Sequence, residues 1–359
     1  MNKICILEAD PTRMGGIQQF CRNLAGYLPG KAVLMAYYGD LANDKVLPVP
    51  PIKLNPAGII RGAYLSRSAL LRNIALLLDL PKIRRRLAGQ LAPGDTLVVN
   101  SASAMLLFCR RSVLKNHKIV LIQHNAPFIM YRRSFDFGGL FRRLKIALFR
   151  KYVNTFVMLS PFEAAEFRKY LPLDGKDCRV IRHAMPFPEK VPETFPRAAA
   201  ILARLVRIKQ VEKTIACAKL LPDVQFNIYG SGPDEPRLRT LASGVDNVRF
   251  RGYTDDIDKV FEENSMLLIT SRFEGYPIAG IEACIRGRPV IVFNTYPAAN
   301  DQVSNGKSGI VLDTMTPEAL ADAVKTILSD PRKFRDGALK HRTIYQAEYA
   351  RSQWEELFE

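Results

Sequence analysis

The chain has 359 residues, of which 48% are hydrophobic and 24% charged, the balance of a globular protein with room for two domains. Its net charge of +17 is concentrated in residues 1–150, where 23 Lys and Arg outnumber 7 Asp and Glu, whereas residues 151–359 contain 29 and 28. The sequence has no apolar run of about 18 residues and no signal-peptide pattern, so we expect no membrane-spanning helix, and the charge asymmetry indicates an anionic partner: nucleic acid, membrane or phosphorylated substrate.

Short apolar runs alternate with helical patterns, which is typical of βαβ units with parallel sheets. In the first half, the sequence predicts strands near residues 3–8, 31–38, 96–100, 118–124, 155–160 and 179–183. It predicts helices near residues 16–28, 66–88, 103–115, 139–151 and 161–170. Four prolines between residues 185 and 196 resist both helix and sheet, so they indicate a domain linker.

The same alternation restarts after the linker. Strands are predicted near residues 199–205, 225–230, 248–252, 266–271, 289–294 and 309–312. Helices are predicted near residues 209–220, 234–242, 255–264, 277–286 and 316–329. We therefore expect two doubly wound α/β domains, residues 1–187 and 188–335, and one or two amphipathic helices in a tail, residues 336–359.

Six cysteines are scattered along the chain without a C-x-x-C pair. Most lie inside apolar runs, so we expect buried free thiols of a reducing compartment. No cluster of ligands suits zinc, and we predict no metal site.

Two acidic residues in a strand–loop–helix segment carry the strongest signal. Glu274 follows the apolar run Met266–Ile269, so it should lie at the carboxyl end of a strand, where open α/β sheets bind ligands. Gly275 allows close backbone approach, and Pro277 fits a first helical turn whose N–H groups attract anions. Glu282 should lie one turn into the helix, where both carboxylates can accept hydrogen bonds from hydroxyl pairs of one ligand. The alternative, two solvated surface acids, is weakened by the apolar neighbours of Glu282.

Two cations and a pair of glycines also follow the carboxyl ends of predicted strands earlier in this domain, as Glu274 does. Arg204 ends one predicted strand and Lys209 begins the next helix, so both can reach a diphosphate, although surface charge is an open alternative. Gly230 and Gly232 follow the next strand, as either a ligand-contacting loop or a plain turn.

In the first domain, two further strand ends carry candidate residues. Gly15 and Gly16 precede a helix N-terminus, although they do not form the G-x-G-x-x-G pattern of dinucleotide binding. His124 follows the strand Lys118–Ile122 at the ligand-facing end of the sheet. A lone histidine can equally be structural.

Together these residues resemble the retaining glycosyltransferases of the GT-B fold, family 4 (glycosyl transferases group 1). The Glu-x7-Glu element at Glu274 and Glu282 is the family hallmark, and Arg204 with Lys209, the glycines at 230 and 232, and Gly287–Val290 match in order and spacing. The resemblance implies two Rossmann-like domains facing across a cleft, with the donor bound mainly by the second and the acceptor mainly by the first. It also implies that the tail crosses back to the first domain.

The resemblance also implies a role for each candidate. Arg204 and Lys209 would hold the donor diphosphate, Glu274 would contact the transferred sugar, and Glu282 would bind the ribose hydroxyls. His124 would face the sugar. The remaining donor-binding residues are glycines near the donor and the segment after Glu274 whose N–H groups approach the phosphate: Gly15, Gly16, Gly230, Gly232, Gly275, Tyr276, Pro277 and Ile278.

The sequence departs from the family pattern at two places. Gln210 stands where glycine is common after the lysine, and residues 296–303 lack the usual Gly-Gly and the following glutamate. This segment is closer to members that build polysaccharides or teichoic acids. We expect a nucleotide-sugar donor, with UDP-sugar favoured, and no cofactor. Asp256-Ile-Asp258 matches the D-x-D pattern of metal-dependent transferases, but acids also favour a helix start, so no metal is expected.

Basic residues among apolar ones in the first domain predict contact with an anionic bilayer and a lipid-linked or polysaccharide acceptor, at the inner face of the cytoplasmic membrane. They are Arg61, Arg67, Arg72, Lys82, Arg84, Arg85, Arg86 and the run at 128–152. Core-packing helices with solvated basic faces are the alternative. Two other functions remain open, a nucleotide-sugar epimerase on the same fold and a basic nucleic-acid-binding protein, although no nucleic-acid motif is present. The oligomeric state is not predicted.

Overall fold

The structure is a computed structural model that describes residues 2–12, 16–37, 47–54, 69–100, 109–124, 151–170 and 175–359. Several predictions from the sequence lie wholly or almost wholly outside these ranges. They are the helix at residues 139–151, the donor-binding Gly15, and the basic residues Arg61, Arg67 and those at 128–150. Internal contacts divide the chain into two units. The first unit is Met1–Leu159, Ala164–His183 and Ala347–Glu359, and the second is Ser160–Glu163 and Ala184–Gln346.

The first unit is a parallel sheet with helices between its strands. Its strands are β1 (Ile4–Glu8), β2 (Ala32–Ala36), β3 (Ile52–Lys53), β4 (Thr96–Val99), β5 (Lys118–Ile122), β6 (Thr155–Met158) and β7 (Asp177–Val180). Its sheet order is β3-β2-β1-β4-β5-β6-β7. The helices along this stretch are α1 (Gly16–Tyr27), α2 (Ala69–Gln90), α3 (Arg111–Asn116) and α4 (Pro161–Tyr170). The predicted helix 103–115 is wrong at residues 109–110, because Arg110 is extended and α3 begins only after it.

The second unit repeats this architecture. Its strands are β8 (Ala198–Leu202), β9 (Gln225–Tyr229), β10 (Val248–Gly252), β11 (Met266–Ile269), β12 (Val290–Phe293) and β13 (Gly309–Leu312). They follow the order β10-β9-β8-β11-β12-β13, and all pairs are parallel. The helices are α5 (Val211–Lys219), α6 (Glu235–Leu241), α7 (Ile257–Glu263), α8 (Ile278–Ile285), α9 (Ala299–Gln302), α10 (Pro317–Ser329) and α11 (Pro331–His341). Strands β11 and β12 are buried at every residue, as expected for a sheet covered on both faces.

The tail is divided between the units. Helix α11 stays with the second unit, because Phe334 is buried in the apolar core of that unit. The last helix, α12 (Ala347–Phe358), belongs to the first unit. There the buried ring of Trp354 packs edge-on against Phe20 of α1, with 6.0 Å between ring centroids.

Each sheet has one point where the strand order reverses. In the first unit it lies between β1 and β4, and in the second between β8 and β11. Loops leaving neighbouring strands in opposite directions open a crevice at this point, at the carboxyl edge of the sheet, where doubly wound proteins bind ligands. In the second unit, Arg204 follows one of these strands and Glu274 follows the other.

The six cysteines are free thiols, as predicted, and all except the half-buried Cys178 are buried. Within the described ranges, no helix is both long and apolar enough to cross a bilayer.

Candidate active site

An ion pair spans the crevice of the second unit. Lys209 closes a short 3-10 turn, Arg207–Lys209, after β8, and its Nζ donates a hydrogen bond to Oε1 of Glu274 in the loop after β11. Ser271 Oγ donates to the same oxygen at 2.6 Å. The Lys209 and Glu274 side chains are 23% and 13% exposed, so both remain accessible to a ligand. The fold thus brings together two of the predicted residues that lie far apart in the chain.

Backbone contacts hold the two loops against each other. Thr270 Oγ1 donates to the Lys209 carbonyl oxygen at 2.9 Å, and the Arg272 N–H donates to the Ile208 carbonyl oxygen at 2.8 Å. Because these contacts involve the main chain of one loop, they fix where the Lys209 side chain starts. The opposite charges are therefore positioned before any ligand binds.

Gln210 has a left-handed backbone conformation, with φ of 48°. This explains why glycine is common at the position, since a side chain there costs about 1–2 kcal/mol. Gln210 also occupies the N-cap position of α5 without capping it, and its buried Oε1 has no hydrogen-bond partner among the described residues. Strained residues of this kind persist mainly at functional sites.

The Arg204 side chain is exposed, and within the described part of the chain its guanidinium makes no hydrogen bond or ion pair. Its loop is held by the glycines of the β9–α6 turn. A Cβ at Gly230 would lie 1.9 Å from the Ala203 carbonyl oxygen, and one at Gly232 would lie 2.1 Å from that of Leu205. The need for glycine at both positions therefore comes from packing against the Arg204 loop, a role that the sequence did not indicate.

Glu282 lies within α8, as predicted, and Arg286, four residues later, is the C-cap of that helix. Its carboxylate makes no hydrogen bond among the described residues. Burial raises the pKa of Glu282 to about 7, and the charge of Arg286 acts in the opposite direction. A half-buried acid that lacks a partner can accept hydrogen bonds from a ligand, so the solvated-surface alternative does not describe Glu282.

The pKa of Glu282 predicts a pH-dependent stability. The folded state holds the Glu282 proton more tightly than the unfolded chain, so the free energy of unfolding should fall as the pH rises from about 4.5 to about 7. The full shift corresponds to about 3 kcal/mol. Glu282→Gln should remove this part of the pH dependence and unfold at higher urea than wild type at pH 8. Glu262→Gln, at an exposed acid of α7, is the control, and equal slopes in both variants would contradict the prediction.

The loop after Glu274 differs from the prediction at Pro277. Pro277 is the N-cap of α8, not part of its first turn, and as a proline it has no N–H to donate to a phosphate. The Tyr276 side chain is buried, and its hydroxyl donates to Asp301 Oδ2 at 3.1 Å, so the role predicted for this residue depends on its backbone N–H and stays a prediction. In this loop, Gly275 is buried, and Ile278 begins α8.

The segment that lacks the usual glycines supports this loop. Gln302 Nε2 donates to the Pro277 carbonyl oxygen at 2.7 Å, and Tyr296 donates to Oε1 of the same glutamine at 3.0 Å. Asp301 contacts Tyr276, whose hydroxyl also lies 2.9 Å from that of Tyr345. Sequence reasoning noted the departure at residues 296–303 but missed that Asp301 and Gln302 brace the Glu274 loop.

In the first unit, the His124 side chain is hydrogen-bonded to the residue that follows the neighbouring strand β4. Its Nε2 lies 2.9 Å from Oδ1 of Asn100, which directly follows β4, and Phe20 packs edge-on against its ring at 4.9 Å. Burial lowers the pKa of His124 to about 3, so the ring is neutral. Gly16 is exposed and begins α1, while Gly15 lies outside the described residues. Asn100 was missed, because nothing in its local sequence pairs it with His124.

The two acids of the D-x-D pattern have structural partners. Asp256 caps α7 by accepting a hydrogen bond from the Lys259 N–H at 3.0 Å, and Asp258 pairs with Arg286 Nε at 2.7 Å. Across the described ranges, no three His, Cys, Asp or Glu side chains are grouped to hold a metal ion.

Together, the two doubly wound units and the charged crevice define a two-domain α/β protein with a candidate site at a sheet edge. Residues 187–348 match the family of glycosyl transferases group 1. Poly(glycerol-phosphate) alpha-glucosyltransferase of Bacillus subtilis is 28% identical over 157 residues, which are 41% of this chain and 23% of that protein. Poly(ribitol-phosphate) alpha-N-acetylglucosaminyltransferase of Staphylococcus aureus is 26% identical over 136 residues, 36% of this chain and 28% of that protein. The chain thus spans 23% and 28% of these curated relatives.

Solved structures match over the whole chain. Sucrose-phosphate synthase from Thermosynechococcus elongatus has a TM-score of 0.80 at 18% identity, covering 100% of this chain and 98% of that one. Anabaena HepE in complex with UDP and glucose has a TM-score of 0.77 at 18% identity, covering 99% of each. The chain therefore has the GT-B fold, as predicted from the sequence, and residues 187–348 resemble the glycosyl transferases group 1.

Proposed function

We propose that this protein is a retaining glycosyltransferase that transfers a sugar from a nucleotide diphosphate sugar, with UDP-sugar favoured, to a glycan acceptor of the cell surface. The observation that carries the proposal is the Lys209–Glu274 ion pair at the switch point of the second unit, next to the exposed Arg204, whose guanidinium has no partner among the described residues. Cations there suit a diphosphate and an adjacent carboxylate suits sugar hydroxyls.

The reaction breaks the bond between the anomeric carbon and the leaving phosphate oxygen. Negative charge then develops on the phosphate, where Arg204 and Lys209 would stabilise it, as preorganised charges do in other transferases. Glu274 would orient the sugar, and Glu282 would accept hydrogen bonds from the ribose. In the retaining reaction, the acceptor hydroxyl attacks from the face that the phosphate leaves, and the phosphate takes its proton. No metal enters this scheme.

The relatives support both the stereochemistry and the acceptor. Two of them are named for alpha-linked products on polymers of polyol phosphate. Polyol phosphates are anionic, which fits the excess of 16 positive charges in residues 1–150. Part of that excess is on α2, where Arg85 is exposed and Lys82, Arg84 and Arg86 are half-buried. We propose that this domain binds a phosphate-containing, lipid-linked or polysaccharide acceptor at the cytoplasmic membrane surface.

A transfer assay tests the function. Radiolabelled UDP-glucose and UDP-N-acetylglucosamine are offered with poly(glycerol phosphate), free or on vesicles with and without anionic lipid, in the presence of EDTA. We expect an alpha-linked product, and we expect Arg204→Ala to lower kcat/KM by about 10²–10³-fold. The exposed Arg249→Ala on β10 is the control. Sugar interconversion without transfer would indicate an epimerase, a beta-linked product would exclude retention, and equal rates on both vesicle types would exclude the membrane contact.

A further inference from the structure

Three polar residues form a chain along the carboxyl edge of the first sheet. Glu8 ends β1, Asn100 follows β4 and His124 lies two residues beyond β5, and these three strands are neighbours in the sheet. The Glu8 carboxylate accepts hydrogen bonds from Asn100 and from Gln18 Nε2, the latter at 3.1 Å. These three hydrogen-bonded side chains thus lie beside the switch point of this unit, where β1 and β4 diverge.

Glu8 fixes the orientation of the Asn100 amide. A carboxylate only accepts hydrogen bonds, so the amide nitrogen of Asn100 faces Glu8. The same Nδ2 donates to Sγ of the buried Cys21 at 3.0 Å. The amide oxygen is thereby left for His124.

The amide oxygen in turn fixes the proton on His124. Because Oδ1 of Asn100 only accepts, the His124 nitrogen that lies 2.9 Å from it, Nε2, carries the hydrogen. Phe20 packs edge-on against both His124 and His183, with ring centroids at 4.9 and 5.0 Å, and the two imidazole rings lie 6.0 Å apart, so these neighbours hold the His124 ring in place. Nδ1 of His124 then has a free lone pair and no hydrogen bond among the described residues.

We propose that Asn100 is a positioning residue that locks His124 in the Nε2–H tautomer, so that Nδ1 accepts a hydrogen bond from a hydroxyl group of a bound sugar or polyol. Only the identity of the ligand rests on the proposed function. The assignment gives His124 the role of a neutral acceptor, and it excludes His124 as a cation for phosphate and as a proton donor. Within the part of the chain that the structure describes, three ionisable groups lie around the ring. His183 is a direct neighbour, with ring centroids 6.0 Å apart, whereas Glu8 and Cys21 reach His124 only through the amide of Asn100.

Nitrogen NMR of the full chain labelled with 15N-histidine tests the tautomer directly. The chain has four histidines, and His124→Ala assigns the signals of His124 by their loss. We expect long-range couplings of the Nε2–H form that do not change between about pH 5 and pH 8. An Nδ1–H form, or titration of His124 within this range, would overturn the proposal.

Asn100→Asp tests the positioning role. The substitution is made together with Glu8→Gln, because two adjacent carboxylates would otherwise share a proton. A carboxylate beside Nε2 then favours imidazolium, so the pKa of His124 should rise into the range between about pH 5 and 8. Imidazolium has no lone pair on Nδ1, so kcat/KM of the variant should rise with pH through the same range, in step with the NMR titration. A merely structural role of Asn100 would lower kcat/KM equally at every pH, and that result would overturn the proposal.

Substitutions of His124 itself test the acceptor. Asparagine places an amide oxygen close to the position of Nδ1, so His124→Asn should stay within about threefold of wild type, while His124→Ala should lose about tenfold in kcat/KM, the worth of one hydrogen bond. Equal losses would overturn the acceptor role. If wild type transfers no sugar from any nucleotide sugar, the proposed function fails, whereas the NMR spectrum alone still decides the tautomer.

Discussion

Replacing Lys209 with alanine should lower sugar transfer by about 10²–10³-fold, the effect of removing one group that stabilises charge in a transition state. Lys209 is the cation that the fold places against Glu274 at the switch point. If the proposed function holds, its loss would remove positive charge from the leaving phosphate and leave Glu274 with only the hydrogen bond from Ser271. The electrostatic cost would then fall on both sides of the bond that breaks.

Stability and activity should separate in this variant. The pair is partly exposed, so its loss should cost only about 1 kcal/mol of folding free energy, and circular dichroism should show a folded protein. Lys213→Ala is the matched control, because Lys213 lies one turn later in α5, where its Nζ donates to the carbonyl oxygen of the exposed Met315 and lies over the Phe293 ring, away from Glu274. Its kcat/KM should stay within about twofold of wild type. Near wild-type transfer by the Lys209 variant would remove Lys209 from the mechanism.

Gly230→Ala should destabilise the second unit by about 2–4 kcal/mol. The residue has φ of 121°, and a Cβ there would lie 1.9 Å from the Ala203 carbonyl oxygen, so backbone strain and steric overlap add. The backbone of Ala203 has to move, and Arg204 moves with it. Urea unfolding should show the loss of stability, and titration with UDP should show weaker binding at a temperature where the variant is folded.

Substitutions at two other glycines separate the two causes of the expected loss of stability, backbone strain and steric overlap. Gly244 also has a positive φ, of 75°, but open space around its Cβ position, so Gly244→Ala should cost only the conformational strain, about 1 kcal/mol, and leave UDP binding unchanged. Gly232 has no positive φ, yet its Cβ would lie 2.1 Å from the Leu205 carbonyl oxygen, so Gly232→Ala reports the overlap alone. If Gly230→Ala cost no more than Gly244→Ala, the packing argument would be wrong.

Local patterns predicted most strands and helices because their physical causes are local. The apolar runs Met266–Ile269 and Val290–Phe293 are short and continuous, which is typical of parallel strands buried on both faces. Elements without such a pattern were missed, namely the two-residue β3 and the four-residue α9. Both are too short for a periodicity to develop.

The division of the tail could not be read from its amphipathic pattern. A helical stripe of apolar residues indicates that a helix is buried against something, but not against which partner. Phe334 packs in the second unit and Trp354 against Phe20 in the first, so α11 and α12 belong to different units.

The amino-acid sequence by itself determined the class of fold and the strand ends at which charged residues gather, because each depends on neighbours a few positions apart. Only the tertiary structure decided which of those residues meet. Lys209 binds Glu274 because β8 and β11 are adjacent in the sheet, and Asn100 orients His124 because β4 and β5 are. Burial and pairing are set by strand order, and strand order has no signature within any single segment of the chain.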